Sequence, residues 1–513
     1  MVMTKSLSPY LPGILLFLIA FVIGITTCAD YGISWDEPIQ RSLGITTYNY
    51  VFHNDNALLT DNDRGLGTGF ELPLIFIEKA LRLRDTRDIY LARHLATHIF
   101  FLFAAFCAYL LAYRLFKEKF IACLAFIMIA FCPRIYAHSY FNSKDIPFLS
   151  AFLIALLVSL VAFEKNKYSW YFILGIATGY ATSIRSMGIL LAICILLFLN
   201  VDLLTAFSRK EKIMPVINKI ILFVIGFFAM LYFSWPVLWR SPVHNFIDEF
   251  RALSHIKYGG EVCLNGTIYP GNNLPWQYML IWFPITVPEL WLISGLIGIL
   301  CLLYGVLNNP LKYIRNTKER NFVLHLLCFI APVAAMTLLN GVNIDDWRHI
   351  YFIYPSFVIL ALFTINKLAV RHTKIVVQLG CVAQVGLIAF FMIKYHPFQQ
   401  IYFNSFVFHK EEYLRDHYDM DYWGCSFKQG VEYILTKNPN GKIKIASRLD
   451  WPLKNNLMLL PDNDQKRIDV VSVETANYFI DGCYRGHPYG HPYPVEYSIK
   501  VLNSSILNIY KTR

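Results

Sequence analysis

Apolar residues in this chain come in long runs, and that pattern decides most of what the chain can fold into. A run of about 20 apolar residues crosses a bilayer as a helix, because only a helix or a closed barrel satisfies its backbone groups in lipid. About eleven runs meet this description, near residues 10-29, 90-116, 119-137, 146-163, 169-184, 187-204, 216-235, 286-307, 322-340, 348-366 and 374-394. The chain has 513 residues, 56% hydrophobic and 16% charged. The expected fold class is therefore an all-α polytopic membrane protein with about eleven transmembrane helices over 1-394, followed by a small extracytoplasmic α/β or α+β domain over 395-513.

Orientation follows from the cations between the spans. Lys5 precedes the first span. Lys117 and Lys119, Lys165 and Lys167, then Arg209, Lys210 and Lys212, then Lys312, Arg315, Lys318 and Arg320, then Arg371 and Lys374 occupy every second connection. Those connections are expected on the cytoplasmic side, which puts the N-terminus inside and the tail outside. The net charge of +11 reads as topology signal and anionic-lipid contact, with no nucleic-acid patch.

The opposite face carries the long connections, at about 30-89 and 236-285, and the tail. The stretch from Glu71 to Arg84 has Leu72, Ile75, Phe76, Ala80 and Leu83 at helical spacing beside Arg82 and Arg84, the pattern of a helix lying in the interface plane. In the second loop, Tyr258, Gly259-Gly260 and Trp276 stand as a candidate lid. In the tail, 442-446, 468-473 and 497-501 alternate as strands, and 429-435 reads as a short helix. Of eleven cysteines, eight lie in or near spans, and Cys425 and Cys483 in the outer tail are a candidate disulfide.

Polar residues gather at the outer ends of spans. Asp36 and Glu37 follow the first span. Pro133 to Pro147 holds Arg134, His138, Asn142, Lys144 and Asp145; Arg185 lies between the fifth and sixth spans; Asn343 to His349 includes Arg348. Charges at such positions are costly to desolvate and mark a functional cavity. Singly, Arg93 and Arg134 read as snorkelling anchors; together, the carboxylates and cations read as one polar cavity for an anionic headgroup. His94 and His98 share a helix face at i,i+4, without the framework of a zinc site. There is no P-loop, no Rossmann glycine fingerprint and no G-x-S-x-G elbow, which argues against ATP-driven transport and serine hydrolysis.

The motifs resemble the GT-C membrane glycosyltransferases, specifically the branch of protein O-mannosyltransferases and aminoarabinose (lipid A) transferases, glycosyltransferase family 39-like. The resemblance rests on Asp36-Glu37, on His138 to Pro147, on Leu274-Pro-Trp-Gln-Tyr278 with Thr286-Val-Pro-Glu289, on Trp347-Arg-His-Ile-Tyr351, and on Asp421-Tyr-Trp-Gly-Cys-Ser-Phe427. It implies inverting transfer of a sugar from a polyprenyl-phosphate donor to an acceptor hydroxyl of a lipid, glycan or protein on the outer face. The rival reading is a transporter or flippase of lipid-linked sugars.

By that resemblance Asp36 is the base, Glu37 orients Asp36 or the acceptor, and Lys144, Arg185, Arg348 and His349 bind the donor phosphate. Asp145, His138 and Asn142 support them, with Asp145 fixing Lys144. No cofactor is fixed by the resemblance, and use of a divalent metal is left open. The implied location is the inner membrane of a bacterium. The large luminal β-trefoil of the mannosyltransferases is absent from the loop before residue 286, which disfavours protein mannosylation of the eukaryotic kind.

Overall fold

The structure is a computed structural model that describes residues 8–66, 68–254, 259–338, 344–486 and 491–513. Lys5, Tyr258 and Asn343 lie outside the described residues. The chain opens with α1 (Leu11–Thr27), α2 (Glu37–His53), α3 (Thr68–Ala80) and α4 (Thr86–Phe116). There follow α5 (Lys119–Ala130), α6 (Pro133–Phe141), α7 (Asp145–Lys165) and α8 (Tyr168–Ile184). Helices Ile189–Ser208, Met214–Ser234, Glu289–Asn308, Thr317–Leu338, Tyr354–Leu368 and Lys374–Lys394 complete the bundle.

All eleven apolar runs fall on helices among the described residues. Nine of the described helices are long and apolar enough to cross a membrane, and the pair α5 and α6, bent by 55°, makes up to ten. Pro133 causes the break, since it has no N–H for a continuous helix and instead starts α6 in its first turn. The remaining run is α8, with 17 residues. It packs on Met214–Ser234 through Gly175 and Gly179, where an added Cβ would collide with the carbonyls of Phe223 and Phe227. That is the close helix approach small residues permit in membranes.

Lys117, Lys165 and Arg209 fall at helix ends opposite to the end that carries Asp36, Lys144 and Arg185. The cation-rich short connections and the polar cluster therefore mark opposite ends of the bundle. At the polar end, α3 departs from the expected face by one position. Glu71, Leu74, Ile75 and Glu78 are buried, while Phe76, Ile77 and, just beyond the helix, Leu81 face outward. The two glutamates turn inward because Arg93, wholly buried, takes both: Glu71 directly and Glu78 at 3.0 Å. Arg93 is thus an internal ion-pair centre and not a snorkelling anchor.

The tail builds a mixed sheet. Between the spans, β1 (Glu261–Leu264) and β2 (Thr267–Pro270) form an antiparallel hairpin. After them come β3 (Ile443–Ser447), β4 (Ile468–Val470), β5 (Tyr478–Gly482), β6 (Val495–Val501) and β7 (Ser504–Lys511), in the sheet order β4-β3-β5-β7-β6. Strand β3 runs parallel to β4 and β5, and β7 antiparallel to β5 and β6. Helix Phe427–Lys437 buries Val431 and Ile434. Strands β5 and β7 were not expected from the sequence, because both are buried along nearly their whole length and show no alternation.

This tail holds the loop before Asp36 in place. Asn456 accepts from Ile33 N (3.0 Å) and donates to Ile33 O (3.2 Å); Trp35 N donates to Trp423 O (3.0 Å), and Trp451 Nε1 to Trp35 O (3.0 Å). Gly32 lies so close to Cys425 O and Asn456 Oδ1 that a Cβ would overlap both. Cys425 and Cys483 are buried free thiols, so the candidate disulfide is not formed.

Candidate active site

Asp36 stands at the N-cap of α2 but does not cap it. An Asp at that position ordinarily accepts a backbone N–H of the first turn. Here Pro38 occupies the first turn, and the neighbouring Glu37 closes the turn by accepting Ser34 N at 2.8 Å. The Asp36 carboxylate is left to face Lys144 Nζ at 3.4 Å and Arg348 at 3.6 Å, with its side chain 26% exposed. It opens on a cavity of about 690 Å³ walled by Lys144, Arg185, Arg348 and His349 from the bundle and by Arg448, Tyr484 and Arg485 from the tail.

The cations are held by an acidic frame. Asp145, buried at the start of α7, binds Arg185 through Oδ1 and Arg348 through Oδ2 at 3.3 Å. Arg348 also reaches Asp345 at 3.0 Å and lies 4.6 Å over the Trp423 ring. Asp345 in turn holds Arg485 at 2.8 Å, and Arg485 holds Asp419 at 3.1 Å. Burial raises the Asp345 carboxyl, but Arg485 and Arg348 outweigh it, and the net direction is below the ordinary value. Arg185 donates to His349 Nδ1 at 3.2 Å; His349 lines the cavity, and its Nε2 is buried without a hydrogen-bond partner among the described residues.

Beneath this frame Arg134 and Asp346 form a pair at 2.7 Å with almost no exposure. Asp346 also accepts from Tyr422 (2.7 Å) and Tyr351 (3.2 Å), and Arg134 donates to Tyr402 O (3.0 Å) and stacks near Phe403. Burial pushes the Asp346 carboxyl up, with Arg134 offsetting only part. Arg134 is therefore a buried structural centre, contrary to the snorkelling role expected for it.

Five of the nine candidate residues line the cavity: Asp36, Lys144, Arg185, Arg348 and His349. The other four stand behind it. Glu37 is buried, and its second oxygen meets His94 Nε2 at 2.8 Å, so it pins α2 to α4 instead of orienting Asp36 or an acceptor. This pairing also accounts for His94; its neighbour His98 bonds Ser139 at 2.7 Å and stacks on Tyr140. Asp145 fixes Arg185 and Arg348 rather than Lys144. Asn142 Oδ1 accepts from Asp145 N (2.8 Å) and its amide donates to Asp145 Oδ2 (2.9 Å), capping α7 and aiming the carboxylate. His138 accepts from Trp423 Nε1 at 3.2 Å and seats that ring under Arg348.

Sequence reading missed Asp63, which lines the cavity from the loop before α3 and whose carboxyl is raised by burial, with Lys144 lowering it. It also missed Arg448 and Arg485, which sit outside any motif; Arg448 is held by Asp481 at 2.8 Å. Of the candidate lid, Gly260 and its neighbour Glu261 reach the cavity edge, while Trp276 is 63% exposed and is not among the residues that line the cavity. Among the described residues no group of three or more His, Cys, Asp or Glu is placed to hold a metal ion.

Comparison with known proteins gives one family-model match, over part of the chain. Residues 80–239 match the family model described as dolichyl-phosphate-mannose-protein mannosyltransferase. That stretch contains Asn142, Lys144, Asp145 and Arg185, and the match supports the GT-C glycosyltransferase resemblance over about a third of the chain. Two solved structures are similar along 97% of both chains: ArnT from Cupriavidus metallidurans bound to undecaprenyl phosphate, 12% identical with a TM-score of 0.48, and the same protein in the apo state, 13% identical with a TM-score of 0.49. A search of curated proteins returns no significant match.

Proposed function

We propose that this protein is an inverting glycosyltransferase that moves a hexosyl or pentosyl group from a polyprenyl-phosphate donor to an acceptor hydroxyl of a lipid, glycan or protein. The observation that carries the reading is Asp36, a partly exposed carboxylate not used to cap its helix, which pairs with two cations at the wall of a cavity of about 690 Å³. The acceptor oxygen attacks the anomeric carbon as its proton passes to the Asp36 carboxylate. The anomeric C–O bond on the far side breaks, and its electron pair leaves on the lipid phosphate. A phosphate departs as a stable anion, so the site needs cations more than an acid.

Lys144 is the cation best placed to turn to that phosphate, because its Nζ has Asp36 alone as an ion-pair partner among the described residues. Arg348 and Arg185 are fixed by Asp145 and form a rigid positive wall, with His349 beside them at the cavity wall. Lys144→Ala is expected to lower kcat/KM for a synthetic polyprenyl-phosphate sugar by about 10²-fold. Unchanged donor use in a steady-state assay would reduce Lys144 to a helix-end ion pair.

The cavity end is the extracytoplasmic face in this reading, of a bacterial inner membrane, because the short connections rich in Lys and Arg occupy the opposite end. Ile39, close to Asp36 on α2, is 37% exposed. Ile39→Cys is expected to react with a membrane-impermeant maleimide added to intact cells. Labelling that appears only after the membrane is broken overturns this orientation.

A further inference from the structure

A second cavity, of about 410 Å³, opens between α2 and α3 and shares no lining residue with the first. Four cations border it, Arg41, Lys79, Arg82 and Arg84, against one carboxylate, Glu78. That carboxylate is already spent: Arg41 reaches both its oxygens, Oε2 at 3.0 Å and Oε1 at 3.3 Å, and the buried Arg93 takes Oε1 at 3.0 Å. Lys79 lies 4.2 Å over the Tyr48 ring, an arrangement that holds its ammonium without neutralising it. Arg82 and Arg84 are exposed and make no ion pair among the described residues. The cavity is thus a built concentration of positive charge with no counter-charge left over.

Its surroundings are apolar and outward-facing. Phe52 (50% exposed), Phe76 (44%) and Leu81 (61%) stand beside it on α2, on α3 and just past the end of α3. The chain then enters α4, one of the helices long and apolar enough to span. Cations beside exposed aromatic and aliphatic groups, shortly before a span, match a lipid in two parts, an anionic headgroup and acyl chains. Guanidinium forks are suited to a phosphate diester, which they grip by paired N–H donors.

We propose that this cavity binds the phosphate of an anionic phospholipid from the leaflet on the C-terminal-domain side, with the acyl chains lying along Phe76 and Leu81. The site is separate from sugar transfer, and its test does not depend on that activity. The full-length protein is to be purified in micelles containing phosphatidylglycerol and phosphatidylcholine in equal amounts, and the retained lipid read by native mass spectrometry. Wild type is expected to retain phosphatidylglycerol roughly tenfold over phosphatidylcholine. The double variant Arg82→Ala/Arg84→Ala is expected to lose that preference with its melting temperature unchanged, both side chains being exposed and without an ion pair among the described residues. Arg82→Lys/Arg84→Lys, which keeps the charge, is expected to retain most of it, and millimolar inorganic phosphate is expected not to displace the lipid. Equal retention by wild type and the double alanine variant overturns the proposal. Displacement by inorganic phosphate overturns it as well, since it assigns the cavity to a soluble anion.

Discussion

Asp36→Asn is expected to leave the protein folded and inserted while lowering sugar transfer by about 10²–10⁴-fold, the span that loss of a positioned general base covers. Asparagine keeps the shape of the side chain and an oxygen for Lys144 to donate to. It cannot take a proton from an attacking hydroxyl. The fold should register the change little, because the side chain is 26% exposed, its two ion pairs, at 3.4 and 3.6 Å, are long, and the asparagine oxygen still accepts from Lys144. Donor binding should also persist, since Lys144, Arg185 and Arg348 remain. The measurement is turnover of a polyprenyl-phosphate sugar by mass spectrometry alongside a melting curve. Wild-type turnover with an unchanged melt would remove Asp36 as the base.

The largest effect on stability is expected at Asp346. Its pair with Arg134 is closed to solvent on both sides, and Asp346 also receives the hydroxyls of Tyr351 and Tyr422. Asp346→Ala leaves a guanidinium buried with Tyr402 O as its remaining hydrogen-bond acceptor, and breaking a buried pair from one side costs about 3–5 kcal/mol. A steep fall in melting temperature in detergent is the expected result. Removing both charges, as Arg134→Met with Asp346→Leu, is expected to recover much of the loss, because neither partner is then stranded. A single variant that melts with wild type would contradict the structural role given to this pair.

Asp36, Lys144, Arg185, Arg348 and His349 were legible in the sequence because polar groups at the ends of apolar spans carry a desolvation cost that needs a reason. The misreadings have physical causes. Glu37 follows Asp36 directly, but at a helix start successive side chains point about 100° apart, so one faces the cavity and the other His94. That partner is 57 positions away in the chain, and nothing local announces it. Arg93 and Arg134 were read as anchors because their neighbours in sequence are apolar; their counter-charges come from Glu71, Glu78 and Asp346, on other elements. The bend before Pro133 turns Arg134 and His138 into the interior, where a straight span would have left them near a surface. The tail was legible as an α/β or α+β unit, but its grip on Ile33 and Trp35 through Asn456, Trp423 and Trp451 was not, since amides and indoles carry no spacing signal.

In the proposed reaction the cavity at Asp36 holds a polyprenyl-phosphate sugar with its anomeric carbon presented to that carboxylate. An experimental structure of the Asp36→Asn variant with such a donor bound tests it most directly. The lipid phosphate is expected at about 3 Å from Lys144 Nζ, the sugar between the substituted side chain at position 36 and His349, and the lipid tail leaving between spans. Donor density confined to the cavity between α2 and α3, or a sugar turned away from position 36, would contradict it.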